Sequence, residues 1–457
     1  MRDDPTVLGK TETLDRVCKF VLGMQADDIP APILERAAYL LLDTIGICAA
    51  ATQMEAGRIA RETACRFMAA PGERDRAPLL FDGRPTSLAG AVFAAASQID
   101  NLDGHDGYNP TKGHIGVVAV PTLAALAHQL PDLSGRDALA ALVVGYEVAG
   151  RAGIALHASV SDYHTSGAWN ALGVAGMAAR LRDLDADQLR EAFGIAEYHG
   201  PRSQMMREIA NPTMLHDGSG WGALAGMSAA LMAEQGFTGA PALTIEADDA
   251  APHWSDLGQF WQVEHQYIKP YPVCRWAHAA IDAARELMQS HGLSAEDIAG
   301  IRIATFENAA ALYSGLPKTS SEAQYSLPFA VAAQIVHGHI GLAQISGQGL
   351  SDPDVARLVA LTEIAADPRH EARYPEGRWA QVQFKLQDGQ SLNSGDVHAR
   401  GGPERPSSAR DIEAKYHTFA DEALGQSRAK ALAEAILNLP KTGAVFADVA
   451  EHIYRVP

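Results

Sequence analysis

Between two apolar stretches lies the polar run Asp100-Asn-Leu-Asp103-Gly-His105-Asp106-Gly-Tyr108-Asn-Pro-Thr-Lys112-Gly-His114. It gathers three carboxylates, two imidazoles and an amine, groups that move protons near neutral pH. His114 stands just ahead of the apolar run that begins at Val117. An imidazole there is poised to take a proton from carbon or return one. A metal held by Asp100, Asp103, His105 and Asp106 is the lesser reading, because the spacing matches no standard ligand motif; no metal is expected. The same composition also forms Asx turns in a solvated loop that does no chemistry.

Three further clusters carry comparable groups. Ser161-Asp162-Tyr163-His164-Thr165-Ser166-Gly167 falls in a break between helices, so His164 is not a histidine of a helix's core face. Asn211 to Gly222 contains His216 and Asp217 followed by alternating glycines. Those glycines either bring backbone close to a ligand or serve tight helix packing, and both readings stand. In Lys269-Pro-Tyr-Pro-Val-Cys274-Arg275-Trp276-Ala-His278, two prolines stiffen the backbone beside two cations. Arg202 offers a carboxylate clamp, whereas Arg207 reads as a surface ion pair. The sequence has no P-loop, no GxGxxG after a strand, no GxSxG and no HExxH. That argues against nucleotide, dinucleotide, serine-hydrolase and zincin chemistry.

Helical periodicity surrounds these clusters and must position them. Residues 13–70, 86–99 and 117–130 read as helices, and 137–236 is almost wholly helical and rich in Ala and Gly. Ser134 with Asp137, Asp185 with Gln188, and Ser294 with Asp297 have capping-box spacing and mark three helix starts. After Lys269 the pattern changes. IAGIRIATF (298–306) and WAQVQFKLQDG (379–389) alternate as strands, the second with Val382, Phe384 and Leu386 on one face. Helical stretches at 278–291 and 323–337 lie between them, and from Ser408 the helical pattern returns. The expected fold is therefore mainly α. A large, discontinuous all-helical domain (1–267 and 403–457) would carry a smaller α+β lid domain (268–402).

Composition bounds the partners. A chain of 457 residues exceeds the roughly 100–200 of a typical domain, and 47% apolar residues suffice for a large core. The formal charge of −18, with no basic run, argues against nucleic acid and anionic lipid. An anionic substrate must then be drawn by a few cations inside a cleft. Cys18, Cys48, Cys65 and Cys274 show no CxxC spacing and read as free thiols in a reducing compartment. The start, MRDDPTVLGK, lacks the apolar stretch of a signal peptide, and no run of about 18 apolar residues suggests a membrane span. The expected location is cytoplasmic.

Several stretches, taken in order, resemble the MmgE/PrpD family, which includes methylcitrate dehydratase, cis-aconitate decarboxylase and iminodisuccinate epimerase. They are LLDTIGICAAA, the Asp100–His114 run into VPTLAALAH, GYEVAGRAG, YHTSGAWNALGVAGMAARL, DGSGWGALAGMSAALMAEQGFTGAP, IKPYPVCRWAHAAIDAA and SEAQYSLPFAVA. The resemblance implies a helical large domain, an α+β lid, a site in the cleft between them, a homodimer and no metal or organic cofactor. It maps the family's active-site aspartate and histidine onto Asp100 and His114, a second histidine onto His164 and the lysine that opens the lid onto Lys269. Three positions depart from it: His216 replaces a common lysine, Phe329 a common tyrosine, and Ile115 the usual proline after the histidine.

On this reading the chain is a lyase of the dehydratase type acting on a small hydroxy di- or tricarboxylate. Lys269 and Arg275 would hold carboxylates, His114 or His164 would remove the α-proton, and His216 would protonate the leaving hydroxyl. Lys112, Arg202, Tyr163, Cys274, His278 and Phe329 would complete the substrate's surroundings. Alternatives are an epimerase of a substituted succinate such as iminodisuccinate, a decarboxylase of an aconitate-like acid, and a non-catalytic carboxylate-binding protein.

Overall fold

Alanine and glycine let the helices of this protein approach closely. The computed structural model describes residues 11–457, so the N-terminal stretch MRDDPTVLGK lies outside the described residues. Helices Gly167–Leu181 and Ser219–Glu234 pack against each other. A Cβ on Gly222 would fall 2.4 Å from Asn170 Oδ1 and 2.7 Å from Gly167 Cα. Of the two readings of the glycines after Asp217, Gly222 thus follows packing: no larger residue fits between the helices.

Around this pair lie Leu88–Leu102, Gly116–Ala127, Gly135–Ser159 and Ala186–His199, and Ala31–Ala50 packs against the first three of these. Among the described residues, Gly135–Ser159 is the one helix long and apolar enough to cross a membrane. Its apolar window is 94% buried inside the protein, so it serves as a core helix. Its buried Glu147 and Arg151 face each other at 3.4 Å.

Two of the three expected caps start α-helices. Ser134 accepts from the Asp137 amide, and Asp185 and Gln188 exchange hydrogen bonds at 2.8 and 3.0 Å. The third pair, Ser294 and Asp297, closes only a 3₁₀ turn, Ala295–Asp297, that feeds a strand. The loop expected from Asp100 also starts later than its composition suggested. Helix Leu88–Leu102 continues through Asp100, and Asp103 ends it in the left-handed region at φ 53°. Its buried neighbours repay the cost of polar residues in that last turn.

After Lys269 the expected strands form. Ile298–Thr305 pairs antiparallel with Trp379–Leu386, setting Ile303 opposite Val382 and Ile301 opposite Phe384. Ala380, Val382 and Phe384 are fully buried, and helix His278–His291 packs on this strand. Thr362–Ala366 adds a parallel edge strand beside Ile298–Thr305, and Ser391–Asn393 extends the other side. The chain then returns to the helical part. Helix Ala409–Leu424 packs on Ala31–Ala50, with Lys415 Nζ 2.6 Å from Asp43 Oδ1, both side chains buried. Lys415 also donates at 2.5 Å to the carbonyl of Gly104, tying the C-terminal helices to the Asp100–His114 segment. The protein is mainly α, with small sheets.

Candidate active site

Three non-glycine residues of the chemistry-bearing clusters sit in the left-handed region: Asp103 (φ 53°), Lys112 (φ 54°) and His216 (φ 46°). Each such conformation costs on the order of 1–2 kcal/mol, a strain that surrounding contacts must hold. At Asp103 the turn brings the carboxylate to Lys269. The fully buried ammonium bonds Asp103 Oδ1 and reaches the Asp103 carbonyl at 3.1 Å. Gly107 and Tyr267 exchange backbone hydrogen bonds of 3.0 and 2.8 Å, fixing the Lys269 segment against this loop. A Cβ on Gly107 would lie 2.3 Å from the Tyr267 hydroxyl and 2.8 Å from His114 Nδ1, so only glycine lets the three meet.

His114 is held by its backbone and one edge of its ring. Its N–H donates to Ser166 Oγ at 2.9 Å, and Ser166 donates to Asp217 Oδ1 at 3.1 Å. His114 Nδ1 stands 2.6 Å from the Asp106 carbonyl. A carbonyl only accepts, so Nδ1 carries the hydrogen and Nε2 presents its lone pair. That Nε2 faces Asp217 Oδ2 at 3.4 Å. Burial, then the charge of Lys269, pushes the His114 pKa down to about 3, which keeps the imidazole neutral. Burial raises the Asp217 carboxyl against the pull of Lys269. Asp100 is raised well above the carboxylate range by burial and then by Asp217. Two nearby carboxyls in so dry a place resist ionising together.

Beside His114 lies a narrow cavity of about 20 Å³. Of the residues nominated from the sequence, Lys112, Tyr163, Lys269, Cys274 and Arg275 line it together with His114. Arg378, Tyr325, Tyr267 and Asp217 line it too and were not anticipated. Lys112 lies 4.3 Å from the Tyr163 ring centre. Burial pushes the Cys274 thiol up to about 12, so it is no nucleophile.

Other predicted residues sit apart from this cavity. Asp100 and His216 line a larger neighbouring cleft, the His216 ring 5.5 Å from that of Tyr325. His216 Nε2 has no hydrogen-bond partner, and burial pushes its pKa down to about 3. His164 is buried on the segment bridged to Gln204 and lines neither cavity. His278 is a structural histidine, its Nε2 donating at 3.0 Å to the Val273 carbonyl. Phe329 is buried within helix Leu327–His337 and lines neither cavity. Arg202 is partly exposed, 3.9 Å from Glu197, and takes the surface ion-pair role that the sequence reading gave to Arg207.

Asp103, His105 and His114 could hold a metal ion, with ligand atoms within 4.8 Å of one another. A cation there would share the Asp103 carboxylate with the Lys269 ammonium, which opposes it. His105 is fully buried with neither ring nitrogen bonded to protein; Nε2 lies 3.8 Å from Asp100 Oδ1. Asp217 could have been found from its place beside His216, and Tyr325 from the stretch SEAQYSLPFAVA. Arg378 left no signal, because nothing near it in sequence shows that it is buried.

This arrangement can move a proton beside a bound anion, and similar proteins match over more than nine-tenths of the chain. Cis-aconitate decarboxylase of Aspergillus terreus is 23% identical, the match covering 94% of each chain. Cis-aconitate decarboxylase of Homo sapiens is 25% identical over 91% of this chain and 89% of its own, and that of Mus musculus 21% identical over 91% and 88%. Residues 15–256 match the MmgE/PrpD N-terminal domain and residues 271–441 the MmgE/PrpD C-terminal domain. On these two matches, the chain belongs to the MmgE/PrpD family, and its curated relatives are enzymes.

Proposed function

We propose that this protein is a cofactor-independent lyase that dehydrates a small hydroxy di- or tricarboxylate. One observation carries the reading: a neutral His114 anchored through Nδ1, its Nε2 facing a carboxyl of raised pKa in a cavity lined by cations. A carbon acid beside a carboxylate is weak, so the charge that develops on deprotonation needs fixed positive groups; Lys269 and Arg275 supply them. His114 Nε2 takes the α-proton. This reading assigns the proton of the Asp100–Asp217 pair to Asp217 during turnover: the C–O bond breaks as the leaving hydroxyl takes it, releasing water. The His114 imidazolium then returns its proton to Asp217 across 3.4 Å, and the products are an alkene acid and water. His216, kept neutral by burial, is poorly placed to donate, so Asp217 takes the acid role first given to it.

A second reading is decarboxylation of an aconitate-like acid. It is favoured by the names of the relatives, all cis-aconitate decarboxylases among those compared above. The test is proton NMR in D₂O with citrate, malate and cis-aconitate. The expected result is α-deuteration and alkene formation from a hydroxy acid, slowed roughly 10²–10⁴-fold in His114→Ala. Loss of CO₂ from cis-aconitate alone selects the second reading, and exchange without elimination selects epimerisation. Binding without exchange leaves a carboxylate-binding protein, and full turnover by a folded His114→Ala variant overturns the base assignment.

A further inference from the structure

Two buried guanidiniums on the cavity wall form no ion pair with a carboxylate among the described residues. Arg275 is 3% exposed and Arg378 1% exposed. Arg275 donates from Nη1 to the Arg400 carbonyl at 2.6 Å and from Nη2 to the Ala399 carbonyl at 3.2 Å, over the Tyr267 ring at 4.4 Å. Arg378 is built alike. Its Nη1 donates to the carbonyls of Pro375 and Gly377, and it lies 4.8 Å from the Tyr374 ring centre. In both, Nε is buried without a partner.

Among the described residues neither arginine pairs with a carboxylate, although the chain has 55 acidic residues. Arg151, the third buried arginine among the described residues, shows the contrast: it pairs with Asp256 and Glu147. The acids on the same cavity wall are committed elsewhere, Asp103 to Lys269 and Asp217 to Ser166 and His114. Burial pushes Arg275 down to about 10 against Tyr267, Asp282 and Glu404, and the charge of Arg378 adds to the depression. Lys112 is lowered by burial and by Arg378 as well. A buried cation held by neutral carbonyls and an aromatic face keeps its charge available, a costly arrangement unless an anion arrives. A planar guanidinium fork also matches a carboxylate in geometry.

We propose that Arg378, together with Arg275, forms a receptor for the substrate carboxylates that do not react, so that Arg378 selects acids with two or more carboxylates. This rests on the carboxylate reading of the site given above.

The test is a ligand-observed NMR titration of the full chain with tricarballylate, glutarate and butyrate, which carry three, two and one carboxylates. Wild type should lose affinity stepwise along the series. Arg378→Gln should bind tricarballylate about 10- to 100-fold more weakly, the range for a lost hydrogen bond to a charged group, with butyrate almost unchanged. Arg378→Lys, which keeps the charge but not the fork, should fall between. A purely structural role for Arg378 predicts equal losses for all three ligands. That result, or no loss at all, overturns the receptor while leaving the carboxylate reading intact. Should circular dichroism show Arg378→Gln unfolded, Arg378→Lys and the wild-type series decide, and a flat wild-type series overturns the proposal. Wild type that binds none of the three acids fails the carboxylate reading itself.

Discussion

A buried histidine kept neutral is a base without its proton, and His114 and His216 are both such bases within reach of the Lys269 charge. Burial is the first cause of depression for His114 and His216, and Lys269 the second. The consequence for stability has a definite sign. The folded-state pKa of His216, about 3, lies below the unfolded value of ~6.5. Its neutral form is therefore fully compatible with folding above pH ~6.5. As pH falls from there toward 3, the unfolded chain binds the proton more tightly and stability is lost. His216→Gln removes the titration while keeping a polar side chain of similar reach. Relative to that variant, wild type should lose about 1.4 kcal/mol per pH unit below ~6.5, read by urea denaturation at pH 7.5, 6.0 and 5.0. A stability difference that stays constant over that range would show that His216 is not buried neutral. The residue types of the site were legible because polar clusters interrupt apolar runs. Their grouping was not: His164 and His216 look equivalent to His114 in sequence, and only packing separates them.

At the scale of elements, the return of the C-terminal helices is what steadies the catalytic segment. Helix Ala409–Leu424 inserts Lys415 between Asp43 and the Gly104 carbonyl. Burial raises Asp43 even with Lys415 beside it, so desolvation outweighs pairing for this carboxyl. Removing one partner of such a pair leaves an uncompensated buried group and costs about 3–5 kcal/mol. Lys415→Met should therefore lower the unfolding free energy by that amount, while Lys415→Met with Asp43→Leu should recover most of it. Denaturant titration of both variants checks this, and a single variant as stable as wild type would contradict it. Helix Ala31–Ala50 was readable from its long apolar run and strand Trp379–Leu386 from its alternation. Thr362–Ala366 was not: Glu363, Ala365 and Ala366 favour helix, and the strand exists only because Ile298–Thr305 lies alongside. The Ser294–Asp297 pair shows the same limit. Its capping bonds form as the spacing predicts, but the chain beyond them is claimed by the sheet.

Across the whole molecule, the cavity exists only where the two matched parts of the chain meet. His114 and Asp217 come from the N-terminal match, Arg275, Tyr325 and Arg378 from the C-terminal match, and Lys269 from the short segment between. The junction is bonded through Lys269 to Asp103, Gly107 to Tyr267, and Gln324 Nε2 to the Asn101 carbonyl at 3.0 Å. With a net charge of −18, the chain as a whole repels an anion, so these few cations must supply the attraction locally. An acid bound there touches both parts and stabilises them together. At a ligand concentration of 100 Kd the gain is about 2.7 kcal/mol. Calorimetry with and without tricarballylate should show the whole heat-absorption envelope move upward as one. If the envelope splits and only one component moves, the ligand is held by one part alone, and the site does not span the junction.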